Sequence, residues 1–139
     1  MSLFTALSIA GSGMSAETQR LSAVASNLAN ASSTVDSAGQ PYRAREVVFQ
    51  AVSPSGEDAG PAAVGMAGVR VAGIVESAAP LRTVYDPGSR FANAQGYVQM
   101  PNVDPVAEMV NMISAQQDYQ ADLDAFNAAK TLALHTLAI

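Results

Sequence analysis

Apolar residues recur at alternating spacings of three and four at both ends of this chain and lose that period in between. Near the C-terminus, Met109, Met112, Tyr119, Leu123, Phe126, Ala133 and Leu137 follow the pattern, with Gln116 and Lys130 as polar interruptions. This is the seam of a helix that pairs with another helix. Its start is well marked: Asp104 suits the N-cap, Pro105 the first helical position, and Glu108 the first turn, near the positive end of the helix dipole. No Gly or Pro follows Pro105, so the pattern predicts a helix within 103–139. At ~1.5 Å per residue that is a rod of roughly 50 Å, too long to bury as one internal element of 139 residues.

The other end supplies a partner. Leu7, Met14, Leu21 and Leu28 fall seven apart, and Leu3, Ala10 and Val24 fill the alternate positions, with Glu17 the exception. The spacing predicts a helix from the start of the chain to about Asn30, inside an N-terminal unit of 1–34. Gly11 and Gly13 lie within it, and each is about 1 kcal/mol less favourable than Ala in a helix interior. The first ten to fifteen residues are therefore expected to order poorly without a partner to pack on.

Between the helices, 35–102 reads as a small β-rich insert. Residues 45–52 and 69–77 are strand-like, 81–89 is a short strand ending in the Asp86-Pro87-Gly88 turn, and 97–100 is a last strand before Pro101. Residues 53–68, with four Gly and two Pro, predict a flexible loop. The expected fold is α+β: long N- and C-terminal helices (1–34 and 103–139) paired as an antiparallel coiled coil, with the insert between them.

Charge sharpens this picture. Only 14% of residues are charged, where about a quarter is usual for a soluble domain. In the first 34 residues the only charges are Glu17 and Arg20; Ala and Ser dominate. A helix with so bland an outer face is expected to be covered on more than one side by neighbours. The net charge of −5, with six scattered Arg and one Lys, is wrong for a sequence-independent nucleic-acid binder. Neither terminal helix has the basic face of a membrane-surface helix, and no apolar run is long enough to span a bilayer. The N-terminus lacks the pattern of a secretory signal peptide.

Candidate chemistry is sparse. Cysteine is absent, which excludes disulfides and thiolate sites. His135 is the only histidine and has no triad spacing around it. Asp118 and Asp122 share a helix face while Asp124 points elsewhere, too few converging ligands for a metal; facing an arginine of a neighbouring subunit is the expected role, with Arg20, Arg43 and Arg45 as candidates within the same subunit type. The loop 53–68 has no Gly-Lys-Ser/Thr step and opens no helix, so it is not a phosphate cradle. No catalytic residue, cofactor or metal site is expected. A structural subunit polymerising through its ends fits best, with a helical adaptor or a small hydrolase-like enzyme as the alternatives.

Several segments carry a resemblance. They are 84–115 (VYDPGSRFANAQGYVQMPNVDPVAEMVNMISA, which includes Pro101, Asn102, Asp104 and Pro105), Ser26-Asn27-Leu28-Ala29-Asn30, Pro41-Tyr42-Arg43, Tyr119-Gln120-Ala121 and Ala129-Lys130-Thr131. Over almost its whole length the chain resembles the bacterial flagellar basal-body rod proteins, of the proximal-rod type. Distal-rod and hook relatives commonly follow Ser-Asn-Leu-Ala-Asn with Thr-x-Gly-aromatic, and residues 31–36 (ASSTVD) depart from that. The resemblance implies a torque-transmitting rod subunit in the flagellar basal body, spanning the periplasm without membrane insertion. It implies export by the flagellar type III apparatus without a cleaved signal peptide. The implied partners are further copies, other proximal and distal rod proteins and the rod-base adaptor. The expected assembly seam is Leu3, Leu7, Met14, Leu21, Val24, Leu28, Met109, Met112, Tyr119, Leu123, Phe126 and Leu137.

Overall fold

The computed structural model describes residues 3–34, 40–52 and 68–137. Within them the order is α1 (Leu3–Ala29), β1 (Arg45–Val52), β2 (Gly68–Glu76), β3 (Arg82–Tyr85), β4 (Tyr97–Met100) and α2 (Pro105–Leu137), an α+β fold. The glycine-rich loop expected at 53–68 lies outside the described residues up to Gly68.

Local chemistry sets the helix ends. The Asp104 side chain accepts the Val106 N–H at 3.0 Å and its carbonyl accepts the Glu108 N–H at 3.0 Å, so Asp104 is the N-cap and Pro105 the first helical residue. At the end of α1, Asn30 donates from its backbone and from its side-chain amide to the Ser26 carbonyl, at 3.1 and 2.9 Å. Asn30 thereby satisfies a carbonyl that the helix leaves open. The two helices run antiparallel. Leu3 and Leu7 lie beside Ala133 and Thr136, Gly13 faces Asp122, Arg20 reaches Asp118, and Val24 and Asn27 lie near Glu108 and Asn111.

β1 and β2 form an antiparallel hairpin laid along α1 on a side not taken by α2. Arg45 is bonded to Asn27, and at the other end Val69 N donates to Ser12 Oγ at 3.1 Å. Fifteen helical residues at ~1.5 Å match eight strand residues at ~3.3 Å to within a few ångströms, so hairpin and helix run side by side. This explains the bland face of α1: its second covered side belongs to the chain's own hairpin. Val48 pairs with Gly73 but Phe49 with Val71, which leaves Ala72 as the extra residue of a β-bulge.

The four segments leaving the helices meet at a polar junction. Asn27 is 1% exposed. Its Nδ2 donates to the Arg45 carbonyl at 2.9 Å, and its Oδ1 accepts from Arg45 N at 2.8 Å and from the Tyr42 hydroxyl at 2.9 Å. Asn102 does the same on the other side: Oδ1 accepts from Ala44 N at 2.8 Å, and Nδ2 donates to the Ser77 and Ala79 carbonyls at 3.3 and 3.0 Å. Arg43 donates to those same two carbonyls at 3.1 and 3.3 Å. Ala31, Ala44 and Val103 are buried beneath with Tyr42 packed on them, and Pro101 is fully buried.

Removing Asn27 leaves the Arg45 N–H and C=O unpaired, and an unsatisfied buried group costs about 1–3 kcal/mol. Asn27→Ala is expected to lower the denaturant midpoint by ~2 kcal/mol or more in stability. Asn30→Ala, which removes only a cap at the helix end, is expected to shift it less. Equal shifts in urea titrations would show that Asn27 fills space and does not hold the strand.

Candidate assembly surface

The contact between α1 and α2 uses only some of the large apolar residues that define the periodicity and sets small and charged ones beside them. In α1 the buried residues are Ala10, Gly13, Ala16, Ala23, Val24 and Asn27. The matching residues of α2 are Ala115 and Ala129, at 0% and 8% exposure. Together with half-buried neighbours they form two heptad rows. In α1 one row is Leu3, Ala10, Glu17, Val24 and the other Ala6, Gly13, Arg20, Asn27. In α2 one row is Met112, Tyr119, Phe126, Ala133 and the other Glu108, Ala115, Asp122, Ala129.

One row of each helix therefore coincides with the expected seam, and the other is displaced by a single residue. Leu7, Met14, Leu21 and Leu28 stand one position beyond Ala6, Gly13, Arg20 and Asn27, and all four remain half-buried. Met109 and Leu123 stand one position beyond Glu108 and Asp122; Met109 is 51% exposed and Leu123 half-buried. Gln116 and Lys130, which interrupt the expected seam, are exposed, and the buried positions beside them are alanines. Met112, Tyr119 and Phe126 are half-buried at the contact. Leu137 ends α2, and its side chain lies outside the described residues.

The small residues permit a close approach. A Cβ on Gly13 would collide with the Asp122 carboxylate. A charged cluster fills the middle of the seam. Arg20 donates to Glu17 at 3.3 Å and to Asp118 at 3.2 Å, and Ser114 Oγ lies 3.4 Å from Asp118. Arg20 meets Asp118 within the same chain, whereas the expected partner was an arginine of a neighbouring subunit. Arg43 is committed to the junction, and Arg45 stacks 5.7 Å from the Tyr42 ring centroid. Asp124 accepts from Gln120 on the outer side. Glu17 and Asp118 share the Arg20 guanidinium. Burial raises the Glu17 carboxyl above its ordinary 4.5, with Arg20 opposing, and raises Asp122 above 3.8, with the Asp118 charge adding to the shift. With Asp118 55% exposed, the ion pair contributes at most ~1 kcal/mol.

Outside the seam, α2 exposes an apolar stripe of Val106, Met109, Val110 and Ile113, all above 50%. Leu132 and Leu134 near its end are similarly open. His135 is exposed, and no group of three or more metal-ligating side chains converges among the described residues. No described helix is long and apolar enough to cross a membrane. The sequence motif Ser26–Asn30 did not disclose its role by spacing. The signal was present in Asn27, a polar residue at a seam position of a helix otherwise lined by small apolar ones.

Because the folded-state values of Glu17 and Asp122 lie above the unfolded ones, the folded chain binds more protons in the window between them. Helix pairing should therefore gain stability as pH falls from neutral through the raised values, with the gain complete below the ordinary ones. Asp122→Asn is expected to flatten that rise. Thermal unfolding followed by circular dichroism across this range checks it; a midpoint that falls on acidification over the same window contradicts the assignment.

Two family profiles match the helical ends: one described as flagella basal body rod protein over residues 7–35, and one as flagellar basal body rod FlgEFG protein C-terminal over 94–138. Curated relatives match end to end. The flagellar basal-body rod protein FlgC of Yersinia enterocolitica is 50% identical over 139 residues, covering all of this chain and 98% of the relative. That of Salmonella typhimurium is 48% identical over the same coverage, and that of Bacillus subtilis 37% identical over 149 residues, covering all of this chain and 99% of the relative. With half its residues shared over the full length of such relatives, and both helical ends matched by rod-protein profiles, the chain belongs to the FlgC family of flagellar basal-body rod proteins.

Proposed function

We propose that this structural subunit of the flagellar basal-body rod polymerises through the faces of α1 and α2 that its own helix pairing leaves open, and that the polymer transmits motor torque. The observation that carries this reading is that one seam row of each helix holds Ala, Gly, Asn and charged side chains, while Leu7, Met14, Leu21 and Leu28 and Met109 and Leu123 stand one position to the side. Burial of a methyl-sized group is worth only ~0.8 kcal/mol, against ~1.5–3 kcal/mol for a fully buried Leu or Met. A pair whose buried members are Ala10, Gly13, Val24, Ala115 and Ala129, with Met112, Tyr119 and Phe126 only half-buried, gains less than two full rows of Leu and Met would. The half-buried Leu7, Met14, Leu21 and Leu28 and the open stripe on α2 hold the remainder in reserve. Subunits that cover these surfaces on one another complete the burial, and contacts between unlike faces yield an open helical array. The helical ends, 1–34 and 103–139, form the axial part in this reading, and 35–102 the outer part.

Copies of this chain, the other proximal and distal rod proteins and the rod-base adaptor are the partners in this reading. Transit occurs through the flagellar type III apparatus without a cleaved signal peptide. A cysteine-free chain with a weak internal helix contact suits passage in an unfolded state. The rod subunit catalyses no reaction and takes no cofactor, and it neither binds nucleic acid nor inserts in the membrane.

Leu21→Asp and Leu123→Asp are each expected to abolish swimming while the chain is still made. Both side chains are only half-buried within the chain, so a fold defect is the lesser consequence. A strain that swims normally with Leu123→Asp would remove that face from the assembly contact. Shortening 53–68 is expected to leave swimming intact in soft-agar assays; loss of rod assembly would make that loop a contact.

A further inference from the structure

The β3–β4 hairpin packs against no other helix or strand among the described residues. A two-stranded hairpin of four residues per strand is marginal in water by itself. This one nevertheless presents aromatic surface to the outside. Tyr85 is 64% exposed, Tyr97 44% and Phe91 41%. Tyr85 and Tyr97 are directly paired across the strands, their rings edge to face with centroids 5.2 Å apart. They are held there by the turn: Gly96 adopts φ of +82°, and a Cβ at that position would press on the Tyr85 ring at 2.9 Å. The Arg90 guanidinium lies 4.6 Å from the Phe91 ring centroid, at the same end of the hairpin. The loop is braced internally, with Asn93 Oδ1 accepting from the Gln95 and Tyr97 N–H groups at 2.9 Å each. Rigid Tyr and Phe rings beside an Arg are the composition of a binding hot spot.

A complementary surface exists on the same chain and does not touch the hairpin. The stripe Val106, Met109, Val110 and Ile113 lies on one face of α2 at helical spacing, and Gln120 and Asp124 continue that face. It offers flat apolar contact with a polarisable thioether, then a carboxylate about 16 Å further along. The charge bias is opposite on the two sides. α2 carries Glu108, Asp118, Asp122 and Asp124 against Lys130, whereas residues 82–100 carry Arg82 and Arg90 against Asp86.

We propose that these are the two halves of one contact between copies of this chain: the Tyr85–Tyr97–Phe91 face of one copy seats on the Val106–Ile113 stripe of the next, with Arg90 meeting Asp124. The inference rests on the rod-subunit reading and names the surfaces it uses. Each copy carries both halves on separate faces, so the contact is unlike-to-unlike and propagates without closing on itself.

Because the chain has no cysteine, introduced thiols report this contact cleanly. Basal bodies are isolated from strains whose only copy of the chain is Tyr97→Cys, Ile113→Cys or the double variant, and are then mildly oxidised. The double variant is expected to give a ladder of disulfide-linked copies, and each single variant none. Basal bodies that contain the double variant without a ladder overturn the inference, as do dimers from a single variant or cross-links to a different rod protein. In a second arm, Arg90→Glu and Asp124→Arg are each expected to reduce swimming, and the two together to restore it. Absence of restoration, with both chains present in basal bodies, also overturns it. Absence of the unaltered chain from basal bodies refutes the rod reading itself.

Discussion

The helix pair depends on a glycine: with no Cβ, Gly13 of α1 leaves room for the Asp122 carboxylate of α2. Ala10 on α1 and Ala115 and Ala129 on α2 are buried in the same rows. Leu7, Met14, Leu21 and Leu28 lie one position to the side of the Gly13 row and stay half-buried. Arg20 bridges Glu17 on its own helix to Asp118 on α2, and with Asp118 largely exposed that ion pair adds little. A chain built this way has helices that are formed and aligned but not saturated. That is a useful condition for a subunit whose final environment is other subunits.

Specificity within the chain is supplied by amides. Asn27 and Asn102 each bind backbone on a different segment, the first on Arg45, the second on Ala44, Ser77 and Ala79. Backbone groups at a segment crossing have no regular ladder to join, and a side-chain amide offers a donor and an acceptor in one plane. With four chain segments meeting over a core of only Ala31, Ala44, Val103 and Tyr42, geometry is held by directional bonds because there is too little apolar volume to hold it. The junction sits where α1 ends and α2 begins, so it fixes the direction in which the strands leave the helix pair.

The strand region contributes in two distinct ways. The β1–β2 hairpin is an internal cover for α1, locked at its ends by Asn27 and Ser12. The β3–β4 hairpin is braced within itself and leaves its aromatic face open. Both had looked alike as short strands between turns. The difference lies in which helix face is within reach, a property of tertiary placement.

The amino-acid pattern alone determined the two helices, the cap at Asp104, the strands at 45–52 and 97–100, and the family. Helical period, cap chemistry and turn residues are local, and local rules read directly from sequence. The register of the seam was legible in half: Leu3, Ala10 and Val24, with Met112, Tyr119 and Phe126, occupy the expected rows. The other rows were displaced by one residue because two stripes overlap in this sequence, one of large apolar and one of small residues, and periodicity weighs the large ones more heavily. Only the tertiary structure decided between them. Which row is buried depends on what both helices present together, and the fit of the Asp122 carboxylate against Gly13 is a pairing that neither helix's own period discloses.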